Sequence, residues 1–183
     1  MTPVQDPAGD AGWLFGARRV PSPNCDERPA DEAVELAVIH AISLPPNEFG
    51  GPGIVHLFTN CLDPAAHPYF GEIQDLRVSA HFLVRRNGEL IQFVACSRRA
   101  WHAGASSWRG RDNCNNFSIG IELEGCDQLP FEDAQYLTLN RLLAELRRRY
   151  PLTAVVGHSD IAPGRKTDPG PCFDWHRVHD SGR

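Results

Sequence analysis

Hydrophobic and polar positions divide the chain into short apolar runs, one long amphipathic stretch and several connections rich in proline and glycine. Residues 35–43, E-L-A-V-I-H-A-I-S, are apolar and β-branched, which predicts a buried strand with His40 set into it. Pro45 and Pro46 stop that strand. Residues 78–86 and 89–94 are β-rich runs joined across Asn87-Gly88, a dipeptide that predicts a two-residue hairpin turn with positive φ at both positions. Ser118 to Glu124 alternates strictly, with Ile119, Ile121 and Leu123 on one face and Gly120, Glu122 and Glu124 on the other. In residues 131–150, Leu139, Leu142, Leu143, Leu146 and Tyr150 recur at helical spacing. Arg147 to Arg149 sit where the helix dipole favours cations, and Pro151 ends the helix. Residues 152–156 read as a last short strand that delivers His158. Strands therefore outnumber long helices, and the hairpin requires antiparallel pairing.

The connections are also informative. Residues 47–69 form a long link whose piece I-V-H-L-F predicts a brief helix, and so long a segment reads as a functional rim. Residues 12–29, with three prolines, are expected to be an extended arm without regular structure. A flexible tail over residues 1–11 would precede a single domain spanning residues 12–183.

Chemistry concentrates in residues 157–171, G-H-S-D-I-A-P-G-R-K-T-D-P-G-P. Three prolines and three glycines there exclude a helix interior and predict a loop that presents its ionisable groups. His158 and Asp168 are ten residues apart, so the loop can fold back and offer both to one cation. With His40 they would make a His-His-Asp set, three ligands with a fourth position open to water, as in hydrolytic zinc sites. An isolated histidine in an apolar strand is more often a core residue, so spacing alone leaves His40 open. A carboxylate beside such a site is the usual general base, and Glu122 and Glu124 share the polar face of their strand. Lys166, two residues before Asp168, reads either as an oxyanion stabiliser or as a surface lysine. Asp160 is expected to fix the loop through backbone hydrogen bonds. Trp101 offers a flat face for a sugar ring or for the core. His81 and His102 are candidate supports or substrate contacts.

The formal net charge of −5 argues against a nucleic-acid partner, which needs a basic face. No segment approaches the length of a membrane span, and the first residues show no basic and apolar leader, so a cytoplasmic protein is expected. Six scattered cysteines without a C-x-x-C pair are expected as free thiols, with Cys172 close enough in sequence to the loop to approach a metal.

Seven stretches then carry a resemblance: A-R-R-V-P-S-P, V-I-H-A-I-S-L-P-P, E-F-G-G-P, L-R-V-S-A-H-F-L-V-R-R-N-G-E, R-A-W-H-A-G, F-S-I-G-I-E-L-E-G and the 157–171 loop. Running in order from about residue 12 to residue 175, they resemble the AmpD branch of the zinc amidase family, which includes phage T7 lysozyme and the peptidoglycan recognition proteins. The resemblance implies an α/β fold, a single domain with a central mixed β-sheet flanked by helices and zinc at one edge. It implies one Zn2+ held by His40, His158 and Asp168, Glu122 as catalytic acid/base and Lys166 as oxyanion stabiliser. Arg77 would bind a stem-peptide carboxylate, and Trp101, His102, Arg111 and Asn113 complete the expected substrate contacts. Two positions depart from the branch's pattern: Ala41 stands where Asn follows the first zinc histidine, and Asn113 where Arg is usual, with Arg111 nearby. The implied reaction is hydrolysis of the amide between a 1,6-anhydro-N-acetylmuramyl sugar and L-alanine in peptidoglycan recycling. A non-catalytic peptidoglycan-binding protein and a broader cell-wall amidase are the alternatives. Competent residues at all three ligand positions and at Glu122 favour the enzyme.

Overall fold

The structure, a computed structural model, describes residues 12–179, and the expected tail over residues 1–11 lies outside them. In chain order the strands are β1 (Arg18–Arg19), β2 (Cys25–Glu27), β3 (Leu36–Ile42), β4 (Phe82–Val84), β5 (Leu90–Gln92), β6 (Arg98–Ala100), β7 (Ser107–Trp108), β8 (Arg111–Asp112), β9 (Ser118–Glu124) and β10 (Ala154–Gly157). The helices are α1 (Gly53–Phe58), α2 (Pro68–Glu72), α3 (Asp133–Arg149) and α4 (His158–Ile161).

The two longest apolar runs, β3 and β9, lie side by side at the centre of a six-stranded sheet of order β1-β5-β4-β9-β3-β10. β10, β3, β9 and β4 are mutually parallel and only β5 runs against its neighbour β4, so the sheet is mixed. Parallel central strands are covered on both faces, which is why all of β9 is buried, including its polar positions Ser118, Gly120, Glu122 and Glu124.

Helix α3 covers one face. Leu139, Leu142, Leu143 and Leu146 pack on Ile119, Ile121 and Phe82, each buried leucine contributing about 1.5–3 kcal/mol. Gln135 at its first turn donates to the carbonyls of Val84 (3.2 Å) and Glu124 (3.0 Å), fastening the helix to β4 and β9. Tyr150 is already extended, as the residue before Pro151 must be. On the opposite face, Ile54, Leu57 and Phe58 of α1 pack with Leu83, Ile91 and Phe93. That face carries His40 and Glu122.

Three expectations are corrected. The hairpin turn is a three-residue loop, Arg86 to Gly88, closed by Gly88 N–H to Arg85 O (2.9 Å) and Arg85 N–H to Glu89 O (2.9 Å). Gly88 has φ of 85° but Asn87 has no positive φ, so this is a turn plus bulge. The arm over residues 12–29 is not irregular throughout: β1 extends the main sheet alongside β5, and β2 pairs with β6. The 157–171 loop opens with one helical turn, α4, because its prolines and other glycines come later, from Pro163 onward. All six cysteines are free thiols, and Cys172 Sγ faces the Asp127 carbonyl at 3.0 Å rather than the ligand cluster. No helix of the described residues is long and apolar enough to cross a membrane.

Candidate active site

Ligands of parallel sheets gather at the carboxyl ends of the strands, and there β3 supplies His40, β9 supplies Glu122 and the residue after β10 is His158. Asp168 returns to the same point because Ser159 N–H donates to Asp168 O (3.0 Å), closing the loop on itself. Asp160 Oδ2 accepts Gly157 N–H (2.7 Å), so Asp160 fixes the loop's start.

Among the described residues, His40, His158 and Asp168 form the cluster of potential metal ligands. His40 Nδ1 lies 3.0 Å from His158 Nδ1 and 3.1 Å from Asp168 Oδ2, and His158 Nδ1 lies 3.1 Å from the same oxygen. Tetrahedral bonds of about 2.0–2.1 Å would set such atoms about 3.3 Å apart, close to what is seen. Both rings turn their other nitrogen to a neighbour. His158 Nε2 donates to Ala103 O (3.1 Å), and His40 Nε2 meets His102 Nδ1 at 3.0 Å. Burial pushes His40 down to about 4, so it is neutral at pH 7. With the Nε2–H of His158 directed at a carbonyl and that of His40 at the His102 ring, both Nδ1 atoms and a carboxylate oxygen face one another with no hydrogen to share. Three lone pairs aimed at one point repel unless a cation lies between them, so these residues fit a divalent metal.

Glu122 is the register partner of His40 on the adjacent strand. Its Oε2 is buried and has no hydrogen-bond partner. Burial, then the negative charge of Asp168, push its carboxyl well above the ordinary range against the opposing pull of Lys166. A carboxyl so placed favours its protonated form more than an exposed one does, which suits a proton-transfer role. Glu124, its rival on the same face, is spoken for. It accepts from Arg85 Nη1 (2.8 Å), Gly50 N–H (2.7 Å) and Arg86 N–H (3.3 Å), an assignment the strand pattern alone could not make.

These groups open into a cleft of about 750 Å3 that is also lined by Ala41, Asn47, Phe58, Tyr69, Arg77 and Trp101, together with Lys166. Arg77 stands exposed at the rim, its Nη1 turned to the carbonyls of Gln74 (2.9 Å) and Leu76 (3.2 Å). Trp101 is half-buried in the wall, and Lys166 is exposed beside the cluster. His102 is 9% exposed, its ring standing behind His40. His81 is fully buried and accepts Gly120 N–H (3.0 Å), a structural role.

Arg111 and Asn113, expected as substrate contacts, do not line the cleft. The Arg111 guanidinium pairs with Glu32 and Glu35 and stacks on Phe117 (4.0 Å), which saturates it elsewhere. Asn113 is exposed in a left-handed turn (φ 58°) that starts a short 3-10 segment. Sequence reasoning missed Asn115 and Arg165. Asn115 Oδ1 accepts the amides of His102 (3.1 Å) and Ala103 (2.8 Å), and Arg165 Nη2 donates to Ala103 O (2.7 Å). Asn115 sits in no pattern that periodicity or spacing could single out, and Arg165, though within the 157–171 loop, carried no signal of its partner 62 residues away.

The profile of the N-acetylmuramoyl-L-alanine amidase family matches residues 30–171. The chain belongs to that family. An Escherichia coli (strain K12) relative, the 1,6-anhydro-N-acetylmuramyl-L-alanine amidase AmpD, is 60% identical over 170 residues, covering 92% of this chain and 93% of its own. A crystal structure of a selenomethionine AmpD derivative superposes with a TM-score of 0.90 at 60% identity, covering 92% of this chain and 96% of that one. The E. coli amidase AmiD, in complex with the substrate anhydro-N-acetylmuramic acid-L-Ala-D-γ-Glu-L-Lys, superposes with a TM-score of 0.59 at 32% identity. The coverage there is 87% of this chain and 66% of that one. Like these amidases, the chain is a hydrolase of the N-acetylmuramoyl-L-alanine amide, in the AmpD branch of the family.

Proposed function

We propose that the chain is a zinc-dependent amidase that cleaves the bond between 1,6-anhydro-N-acetylmuramic acid and L-alanine in muropeptides released during peptidoglycan recycling. The observation that carries the reading is the convergence of His40 Nδ1, His158 Nδ1 and Asp168 Oδ2 within 3.1 Å beside a buried, unpartnered Glu122. His40, His158 and Asp168 would hold the ion. Zinc bound there supplies Lewis acidity and an activated water. Glu122 takes a proton from the nucleophilic water and passes it to the leaving L-alanyl amine, a transfer its raised carboxyl suits. Lys166, exposed at the same mouth, stabilises negative charge developing on the carbonyl oxygen. Arg77 at the rim offers a fork to a stem-peptide carboxylate, and Trp101 offers a face to the sugar. The preference for the anhydro sugar draws on the names of the AmpD relatives and on the AmiD substrate complex. Six free thiols suit the reducing cytoplasm as its compartment.

Replacing Glu122 tests the assignment. Glu122→Ala should bind zinc stoichiometrically and lose at least about a hundredfold in kcat, the lower end for a general acid/base. Undiminished turnover by zinc-loaded Glu122→Ala would remove Glu122 from the mechanism.

A further inference from the structure

We infer that His102 and the Ala103 carbonyl, seated together by Asn115, fix the orientation and tautomer of both histidine ligands and so set the metal affinity; this deepens, and rests on, the zinc reading above. The chain of hydrogen bonds behind His40 has a direction dictated by its far end. Cys114 O can only accept, so the Ser118 hydroxyl donates to it (2.5 Å) and keeps a lone pair for His102 Nε2–H (3.2 Å). His102 Nδ1 is thereby left bare and accepts His40 Nε2–H (3.0 Å), which leaves His40 Nδ1 free to ligate. One backbone carbonyl thus decides, through two side chains, which nitrogen of the first ligand carries its proton.

The second ligand is fixed by the next residue along. Ala103 O accepts His158 Nε2–H (3.1 Å), leaving His158 Nδ1 free. The two supports cannot drift apart, because the amides of His102 and Ala103 both donate to Asn115 Oδ1 (3.1 and 2.8 Å). Arg165, from the metal loop, holds the same strip through Ala103 O (2.7 Å) and Ala105 O (2.6 Å). Gly120 completes the seat: a Cβ there would lie 2.4 Å from the His102 ring, so only glycine lets that ring stand between His40 and Ser118. His102 is accordingly a positioning residue. The substrate contact expected from sequence is not its role, since its polar atoms are taken up by His40 and Ser118.

The test measures zinc dissociation constants by competition with a chromogenic chelator, together with KM for anhydro-muramyl-tripeptide at saturating zinc. His102→Phe should weaken zinc binding about ten- to a hundredfold, the range for losing a partner behind a metal ligand. Its KM at saturating zinc should move less than about twofold, since the loss is not one of substrate binding. His102→Asn, which presents Oδ1 where Nδ1 stood, should bind zinc more tightly than His102→Phe. Asn115→Ala, at a half-buried site that touches no ligand, should weaken zinc binding in the same direction and keeps the test independent of how His102→Phe folds. Wild-type affinity in either His102→Phe or Asn115→Ala, or a raised KM without loss of zinc, would overturn the inference. So would equal weakness of the Phe and Asn variants. A wild-type protein that binds no zinc would instead overturn the metal reading itself.

Discussion

Glu122 and Glu124 stand two residues apart on one face of one strand, and the proposed mechanism together with the Glu124–Arg85 ion pair predicts opposite consequences for their removal. Glu124 is 2% exposed in its side chain and bridges Arg85, 9% exposed, to the backbone of Gly50 and Arg86. Glu124→Ala leaves the Arg85 guanidinium buried with only the Gly51 carbonyl (2.9 Å) and strips the Gly50 amide of its acceptor. Removing one member of a buried ion pair costs about 3–5 kcal/mol, because the other charge stays desolvated. In a domain of this size that lowers Tm by about 6–20 °C. Glu122→Ala removes a carboxyl whose Oε2 has no partner, so it should leave stability within about 1 kcal/mol of wild type while lowering kcat at least about a hundredfold. Urea unfolding and kcat per folded, zinc-loaded molecule, measured on both variants, separate the two roles. A Glu124→Ala protein of wild-type stability, or one that is folded and inactive beside an active Glu122→Ala, would refute the assignment.

Two further outcomes follow from the core. Leu143 is fully buried under α3, so Leu143→Ala should lower the unfolding free energy by about 2–5 kcal/mol in urea titrations, and a loss below about 1 kcal/mol would mean the helix is not packed as described. Burial pushes the Cys96 thiol from an ordinary 9.0 up to about 12. Between those pH values the folded chain keeps a proton that the unfolded chain releases, so stability is complete below about pH 9 and falls as pH rises toward 12. Tyr150 shifts in the same direction through burial. Cys96→Ala should therefore show a shallower alkaline decline of the urea midpoint between pH 9 and 11 than wild type, and identical slopes would contradict it.

The elements most legible in the sequence were those whose neighbours are set by their own pattern. The alternation of Ser118–Glu124 and the leucine spacing of residues 139–146 located β9 and α3, because burial of a face is a local periodic signal. The loop Gly157–Pro171 was legible as part of the candidate site because ionisable groups among prolines have few other uses. The strand pattern alone did not separate Glu122 from Glu124; only the family resemblance pointed to Glu122. Glu124 is claimed by Arg85, 39 residues away in sequence, a distance no strand pattern encodes. Arg111 looked like a substrate contact by position, yet Glu32 and Glu35 hold it elsewhere. The hairpin turn was misjudged because Asn87-Gly88 serves a two-residue turn and the end of a three-residue loop equally well, and only the Arg85–Glu89 pairing chooses between them. The N-terminal strands β1 and β2 are two and three residues long, too short for any periodicity to show.

The central claim is tested most directly by following release of L-alanyl stem peptide from anhydro-muramyl-tripeptide and from intact, non-anhydro muropeptide, with and without a zinc chelator. The account predicts cleavage of the anhydro substrate that the chelator abolishes and added zinc restores, with little cleavage of the intact muropeptide. Chelator-resistant cleavage, or none by a protein carrying one zinc per chain, would contradict it.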